Sequence, residues 1–316
     1  MRVALLVNSI AGRGRGPRLA SLLRTALVAE GMTVKTPESN VSDAVDDLSH
    51  ADIAVVVGGD GTLNRWLPSL LAPGAPPVWH APTGTENLFA RTHGSDRSAG
   101  SLVAAILAGR TSRQDVGMVN GRPFAIMASL GPDAAIVNAV NANRTGRISR
   151  ASYAAPVLQA LAMGTTSHAT VTIDGGPGIS CRGMLVVANM PMYGARLDPA
   201  WESRPDDGRL TVVHLPGAIA ATIGLRLAAC WTRNERLIPG RRVWQASRVS
   251  IEPRAGTPHQ IDGDPAPPAI VSAGRLDFGV LPGALAVLLP AQPKVDAPAT
   301  QTRSTRFAPN ENATSR

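Results

Sequence analysis

The sequence predicts an α/β protein in two parts, on three observations. Short aliphatic runs alternate with helical stretches up to about residue 111. Gly-rich turns follow those runs, as happens where parallel strands pass into helices. Beyond residue 111, strand-like runs punctuated by Gly, Pro and Asp take over, which suits an antiparallel or sandwich-like unit. The expected division is 1–115, 116–290 and a disordered tail, 291–316.

Arg2–Val7 reads as a buried strand, and Pro17 opens a helix to about Glu30. A short strand, Met32–Lys35, and a helix, Val41–Leu48, follow. Ile53–Val57 is a continuous run rich in β-branched residues, the pattern of a strand covered on both faces. Gly58-Gly59-Asp60-Gly61 comes next, with helical spacing from Thr62 to Leu71. Pro77–His80 is a strand, Pro82–Thr85 a turn, Glu86–Thr92 a helix start and Ser98–Ala108 an apolar helix stopped by Gly109.

In the second part the expected strands are Asp115–Val119, Phe124–Ser129, Ala169–Ile173, Gly183–Ala188, Leu210–His214, Val243–Ile251, Gln260–Ile261, Gly274–Phe278 and Leu285–Leu289. Helices are expected at Asp133–Asn143, Ser149–Met163 and Ala218–Trp231. No internal repeat is visible.

Of 316 residues, 44% are hydrophobic and 17% charged, so the chain can build a core, and disorder throughout is excluded. Aromatics are only 3%, so that core is aliphatic. The net charge is +8, and 29 of the 31 basic residues are arginines; the lysines are Lys35 and Lys294. Such a surface favours phosphate groups or acidic lipids. With few aromatics to stack bases and no nucleic-acid motif, nucleic acid is not an expected partner. Cys181 and Cys230 cannot make a disulfide framework or a Cys-rich zinc site and read as buried small residues. The six histidines show no ligand spacing. The start does not read as a signal peptide, and no apolar run reaches the ~20 residues of a membrane span. A cytoplasmic protein with peripheral membrane contact is expected.

The most informative stretch is Val55–Asn64: a buried strand ends, three glycines surround one carboxylate, and a helix starts. Glycines let the backbone approach a ligand, and a helix start offers amides to phosphate. Asp60 would repel a bound polyphosphate unless it meets Mg²⁺ or takes a proton from an attacking hydroxyl. The alternative is a turn whose Asp caps a helix. No Walker A loop occurs, so backbone amides and arginines must hold any phosphate. A second loop, Pro82-Thr83-Gly84-Thr85-Glu86-Asn87, repeats the design after the next strand. In an open α/β sheet both would line one crevice, together with Asn8.

Asn8…Gly12, GGDGTLN at 58–64 and PTGTEN at 82–87 resemble the catalytic domain of the diacylglycerol kinase/lipid kinase family, which includes bacterial soluble diacylglycerol kinases and sphingosine kinases. Ser129–Ala134, Pro199…Asp206-Asp207-Gly208-Arg209-Leu210 and Ile261-Asp262-Gly263-Asp264 are similar to later family segments, in family order. The resemblance covers about residues 1–290 and implies a Rossmann-like N-terminal domain, a β-sandwich C-terminal domain and an active site in the cleft.

It also implies roles. Asp60 would deprotonate the lipid hydroxyl, and Asp264 would complete the acidic cluster. Gly58, Gly59, Gly61 and Thr62 would hold ATP phosphates; Asn8, Thr36, Gly84 and Thr85 would contact the nucleotide. Arg144 and Arg150 would face the polyphosphate, with a solvated charge run as the alternative. Asp206 and Asp207 would hold a structural Mg²⁺, or form a solvated turn. Leu88 stands where many members have Asp, Glu86 replaces a Gly, and Pro132 replaces an aromatic. The apolar Leu88 is closer to sphingosine-kinase-like sequences.

The expected activity is therefore ATP- and Mg²⁺-dependent phosphorylation of a membrane lipid such as diacylglycerol or a sphingoid base, at an anionic membrane. NAD kinase, which also uses a GGDGT loop, and a non-catalytic lipid-binding protein are the alternatives. The family often dimerises, although the sequence shows no seam.

Overall fold

The computed structural model describes residues 1–7, 15–37, 47–142 and 167–292. The chain begins with β1 (Arg2–Val7), α1 (Arg15–Ala29), β2 (Thr33–Lys35), β3 (Ile53–Gly58), α2 (Asp60–Leu70), β4 (Val78–Pro82), α3 (Leu88–His93) and α4 (Ala99–Ala108). The four strands pair in parallel in the order β2-β1-β3-β4, so all four carboxyl ends lie along one edge. Every residue of β3 is buried. Its alternation sends Val55 and Val57 into one apolar cluster with Leu23 and Leu27 of α1. Ala54 and Val56 enter another, with Leu63 and Leu67 of α2. Helices on both faces thus explain why this run lacks polar residues.

The second part contains β5 (Thr111–Val119), β6 (Arg122–Phe124), β7 (Met127–Leu130), α5 (Pro132–Ala142), β8 (Ser167–Ile173), β9 (Ile179–Ala188), β10 (Leu210–Pro216), α6 (Ala220–Ala229), β11 (Arg242–Ala246), β12 (Arg248–Pro253), β13 (His259–Ile261), β14 (Asp264–Pro265), α7 (Pro268–Val271) and β15 (Leu276–Leu288). Its strand pairs are antiparallel, as the Gly/Pro/Asp punctuation predicted.

The two parts share a strand. Leu276–Gly279 of β15 pairs with β12, and Phe278–Leu281 pairs with β5. A bulge follows between Leu281 and Leu285, and the rest of β15 continues along β5. There Val287 stands opposite Val78 of β4, in parallel. Val287 and Leu288 enter the two apolar clusters on opposite faces of the N-terminal sheet. Gly283 in the bulge has φ +56°, and its amide donates to Asp115 Oδ1 at 2.8 Å. The other oxygen of the buried Asp115 accepts from Gly208 N at 2.6 Å.

Three strand expectations change. Gly274–Phe278 and Leu285–Leu289 are parts of one bulged strand, because Pro282 and Gly283 kink β15 without ending it. Phe124–Ser129 is two strands, since Asp262 captures the amides of residues 125–127 between them. Val243–Ile251 divides at Ser247, where Asp174 Oδ1 accepts from Ser247 N and Arg248 N. The expected helix Ser149–Met163, most of Val41–Leu48 and nearly all of the tail lie outside the described residues. Cys181 and Cys230 are buried free thiols.

Candidate active site

The end of β3 and the end of β4 meet backbone to backbone. A Cβ on Gly59 would lie 3.1 Å from Gly84 Cα, and one on Gly84 would lie 2.8 Å from both Gly59 Cα and Asn87 Oδ1. A Cβ on Gly58 would fall 2.3 Å from the Thr62 side chain. Asn87 fastens the second loop: its Oδ1 accepts from Gly84 N at 2.8 Å, and its Nδ2 donates to Gly84 O at 2.9 Å. It does so in the left-handed region, at φ +50°, a conformation asparagine tolerates better than most residues. Thr83 N donates to Gly58 O at 2.7 Å, which joins the loops.

Asp60 is the first residue of α2, yet its carboxylate serves α3. Oδ2 accepts from Leu88 N at 3.0 Å, and Oδ1 from Phe89 N at 3.1 Å. Two amides at the start of α3 therefore fix the plane of the carboxylate, and each oxygen keeps a second lone pair. In α2 itself, Thr62 N and Leu63 N turn back to Gly59 O. The amides of Asp60 and Gly61 are those the helix cannot satisfy.

The other wall comes from the C-terminal part. Asp264 on β14 reaches over the loop, and its Oδ2 lies 3.3 Å from where a Gly61 Cβ would be. The fold thus brings Asp60 and Asp264 to the same loop from opposite ends of the sequence. Thr36 lies at the carboxyl end of β2, on the same sheet edge, where its hydroxyl accepts from Arg24 at 2.8 Å. Thr85 is half-buried in the second loop. Asn8, Arg144 and Arg150 lie outside the described residues. Asp206 and Asp207 are exposed, and Asp207 Oδ1 accepts from Arg209 N at 3.0 Å.

Several residues here were not expected from the sequence. His80 on β4 is fully buried under the loop, with Nε2 3.1 Å from Gly58 O. Burial pushes its pKa down, partly countered by the charge of Asp60 and the Gly58 carbonyl. Its ring centroid is 5.9 Å from that of Phe89, which is 4.4 Å from that of His93. Burial lowers the His93 pKa to about 4, and His80 adds to the effect. Asp262 accepts from Ala125, Ile126 and Met127 amides at 2.8, 2.9 and 2.9 Å. Burial raises its pKa to about 6 against those hydrogen bonds, and the Asp60 charge pushes the same way. Of the two carboxylates in Asp262-Gly263-Asp264, one is therefore a structural clamp and one faces the loop.

A second polar group lines the C-terminal side. Gln260 Nε2 donates to Ser129 Oγ at 2.7 Å, and Ser129 donates to Asp133 Oδ2 at 2.5 Å. Tyr193 OH donates to the same oxygen at 3.0 Å. Burial raises the Asp133 pKa. The segment after Tyr193 crosses back to the N-terminal side. Ala195 N donates to Glu86 Oε2 at 3.3 Å, and Arg91 donates to Met192 Sδ at 3.6 Å.

These residues can be tested against a nucleotide and its metal. The glycine approach and the first-turn amides of α2, which have no intrahelical acceptor, fit a phosphate chain held by backbone. Among the described residues no group of three or more His, Cys, Asp or Glu could hold a metal ion, around Asp206 and Asp207 or elsewhere. Mg²⁺ commonly needs only one or two carboxylates beside substrate phosphates, which Asp60 and Asp264 fit.

Residues 2–119 match the diacylglycerol kinase catalytic domain, and residues 126–289 match the YegS C-terminal NAD kinase beta sandwich-like domain. A diacylglycerol kinase of Staphylococcus carnosus is 24% identical over 217 residues, 67% of this chain and 70% of that one. A protein of Staphylococcus haemolyticus named as a candidate lipid kinase is 28% identical over 163 residues. That match spans only about half of either protein, 51% of this chain and 53% of the relative. The crystal structure of a diacylglycerol kinase from Bacillus anthracis superposes with a TM-score of 0.67 at 18% identity, over 93% of this chain and 98% of that one. An NAD kinase from Archaeoglobus fulgidus in complex with ATP shares the fold at a TM-score of 0.53 and 15% identity, over 91% and 93% of the two chains.

Proposed function

Because the chain belongs to the diacylglycerol kinase/lipid kinase family, we propose that it transfers the γ-phosphoryl group of ATP to a hydroxyl of a membrane lipid. The observation that carries this reading is the meeting of Asp60 and Asp264 at Gly61, beside the contact between Gly59 and Gly84. It joins a phosphate cradle to a carboxylate pair in one cleft.

In the proposed reaction the amides of the first loop and of α2 hold the nucleotide phosphates. Leu88 N and Phe89 N aim the Asp60 carboxylate, whose free lone pair accepts the proton of the acceptor hydroxyl. That oxygen then attacks the γ-phosphorus, and the bond to the leaving diphosphate oxygen breaks. Mg²⁺, when bound with ATP, would neutralise phosphate charge, with Asp264 and Asp60 as its protein-side carboxylates. Positioning and charge neutralisation do most of the work in a loose phosphoryl transfer. The acceptor is a diacylglycerol or a sphingoid base, and the arginine-rich surface brings the protein to an anionic membrane.

Incubation with radiolabelled ATP, Mg²⁺ and a panel of lipids, with NAD in a parallel reaction, tests this. A labelled lipid that disappears with Asp60→Asn supports the reading. Label in NAD alone would make the protein an NAD kinase, and lipid binding without turnover would leave it a lipid-binding protein.

A further inference from the structure

The connection from β10 to β11 carries α6 and has two unlike sides. Ala220 and Ile223 are 1% exposed, and Cys230 just beyond is fully buried. Ile223 and Cys230 belong to the apolar cluster that holds Leu63 and Trp66 of α2 and Phe89 of α3, and the partly buried Leu227 packs against it. The outer side is uncovered. Leu225 is 74% exposed, Trp231 67%, Leu237 55% and Ile219 54%. Four of the ten exposed large apolar side chains among the described residues therefore sit on this one connection. Scattered exposed leucines mean little, but a concentration containing tryptophan marks an interaction surface.

The charge is equally one-sided. Residues 217–242 contain Arg226, Arg233, Arg236, Arg241 and Arg242 against the single acid Glu235. Arg241 is neutralised by Glu202 at 2.7 Å and Glu235 at 3.1 Å, and Arg233 pairs with Asp198 at 3.1 Å. Arg226 donates to the carbonyl oxygens of Pro216 and Pro239, and among the described residues it forms no ion pair. Arg236 and Arg242 are exposed, and among the described residues neither forms an ion pair.

We infer that the Gly217–Arg242 connection is the element that docks the protein on an anionic bilayer, an inference that rests on the lipid-kinase reading. Leucine and tryptophan enter the boundary between headgroups and acyl chains, while arginines meet lipid phosphates. Charge favours a bilayer over a second copy of this chain. A two-fold contact would set the same arginines against each other. The connection also touches the cleft. Arg233 holds Asp198, whose Oδ1 accepts from Tyr193 N at 2.8 Å, and Tyr193 in turn binds Asp133. Docking here sets the acceptor side of the site against the membrane.

The test uses the full chain and vesicles of phosphatidylcholine with or without phosphatidylglycerol. Two variants are compared with wild type: Leu225→Asp with Trp231→Asp, and Arg236→Glu with Arg242→Glu. All four side chains are exposed, and thermal unfolding checks that the variants fold. Each pair is expected to weaken co-sedimentation with anionic vesicles by about tenfold or more. Phosphorylation of vesicle lipid falls in step, while turnover of a detergent-dispersed short-chain diacylglycerol is unchanged. Brominated lipids quench wild-type fluorescence, and Trp231→Phe removes most of that quenching. Vesicle binding unchanged in both variants overturns the inference. So does a wild-type dimer without vesicle affinity that Leu225→Asp separates. No turnover in either lipid format would count against the kinase reading alone, because sedimentation needs no chemistry.

Discussion

The carboxylate of Asp60 holds the amides of Leu88 and Phe89 at 3.0 and 3.1 Å, so the first residue of one helix caps the next. The group proposed as base is thus also a structural cap across the two loops. Asp60→Asn keeps one acceptor oxygen and puts a donor where the second amide points. Turnover should fall roughly 10²–10⁴-fold, and the unfolding free energy should drop by about 1–2 kcal/mol. Steady-state kinetics and denaturant unfolding check both. Full turnover in this variant would remove Asp60 from the mechanism.

Gly84→Ala should act on the nucleotide. The new methyl group would lie 2.8 Å from Gly59 Cα and Asn87 Oδ1, so the backbone of one of the two loops must shift. The KM for ATP should rise about tenfold or more, since small misplacements are costly in a positioned site. The lipid KM measured in the same series should change little. An unchanged ATP KM would place the nucleotide elsewhere.

Acid should weaken the fold through His93 and strengthen it through Asp262. The His93 pKa is lowered from 6.5 to about 4, so the unfolded chain takes this proton first. Its contribution is intact above pH 6.5 and lost as pH falls towards 4, by up to about 3 kcal/mol. The Asp262 pKa is raised from 3.8 to about 6, so the native state takes that proton first. Its contribution is present below pH 3.8 and lost as pH rises through 6. In denaturant unfolding across this range, His93→Phe should lose less stability on acidification than wild type. Asp262→Asn should lose more, on top of a constant penalty from the altered clamp. Parallel pH profiles in all three proteins would refute both assignments.

Much of this site could be read directly. The Ile53–Val57 run, the glycines around Asp60 and the second loop after β4 each follow from a local rule, and the structure places them accordingly. What could not be read depends on contacts between distant segments. His80 lies in an ordinary strand pattern, and only the arrival of Gly58, 22 residues earlier, gives it a partner. The Asp262-Gly263-Asp264 motif does not tell which carboxylate turns inward; the amides of 125–127 decide that. Pro282-Gly283 has the composition of a strand break, yet Asp115 holds the bulge and lets the strand continue.

Asp115→Ala should test that last point. It leaves the half-buried amides of Gly208 and Gly283 without their acceptor. A loss of roughly 2–4 kcal/mol is expected in denaturant unfolding. A change below the error of the measurement would show that water or relaxation replaces the carboxylate.

Salt should separate attraction from chemistry. Raising ionic strength is expected to reduce turnover on anionic vesicles more than on a detergent-dispersed short-chain lipid. Equal sensitivity in the two assays would remove the membrane from the role of the arginines.

The bulged strand at the end of the fold also sets a schedule for making the protein. β4 is synthesised early, but its neighbour at Val287 leaves the ribosome some 200 residues later. Until then one side of the nascent N-terminal sheet is an open strand edge, with Val287 and Leu288 missing from both of its apolar clusters. The loop bearing Asp60 is therefore translated long before its sheet is complete. The sheet that carries the glycine loop is thus completed by a strand more than 200 residues further along the chain.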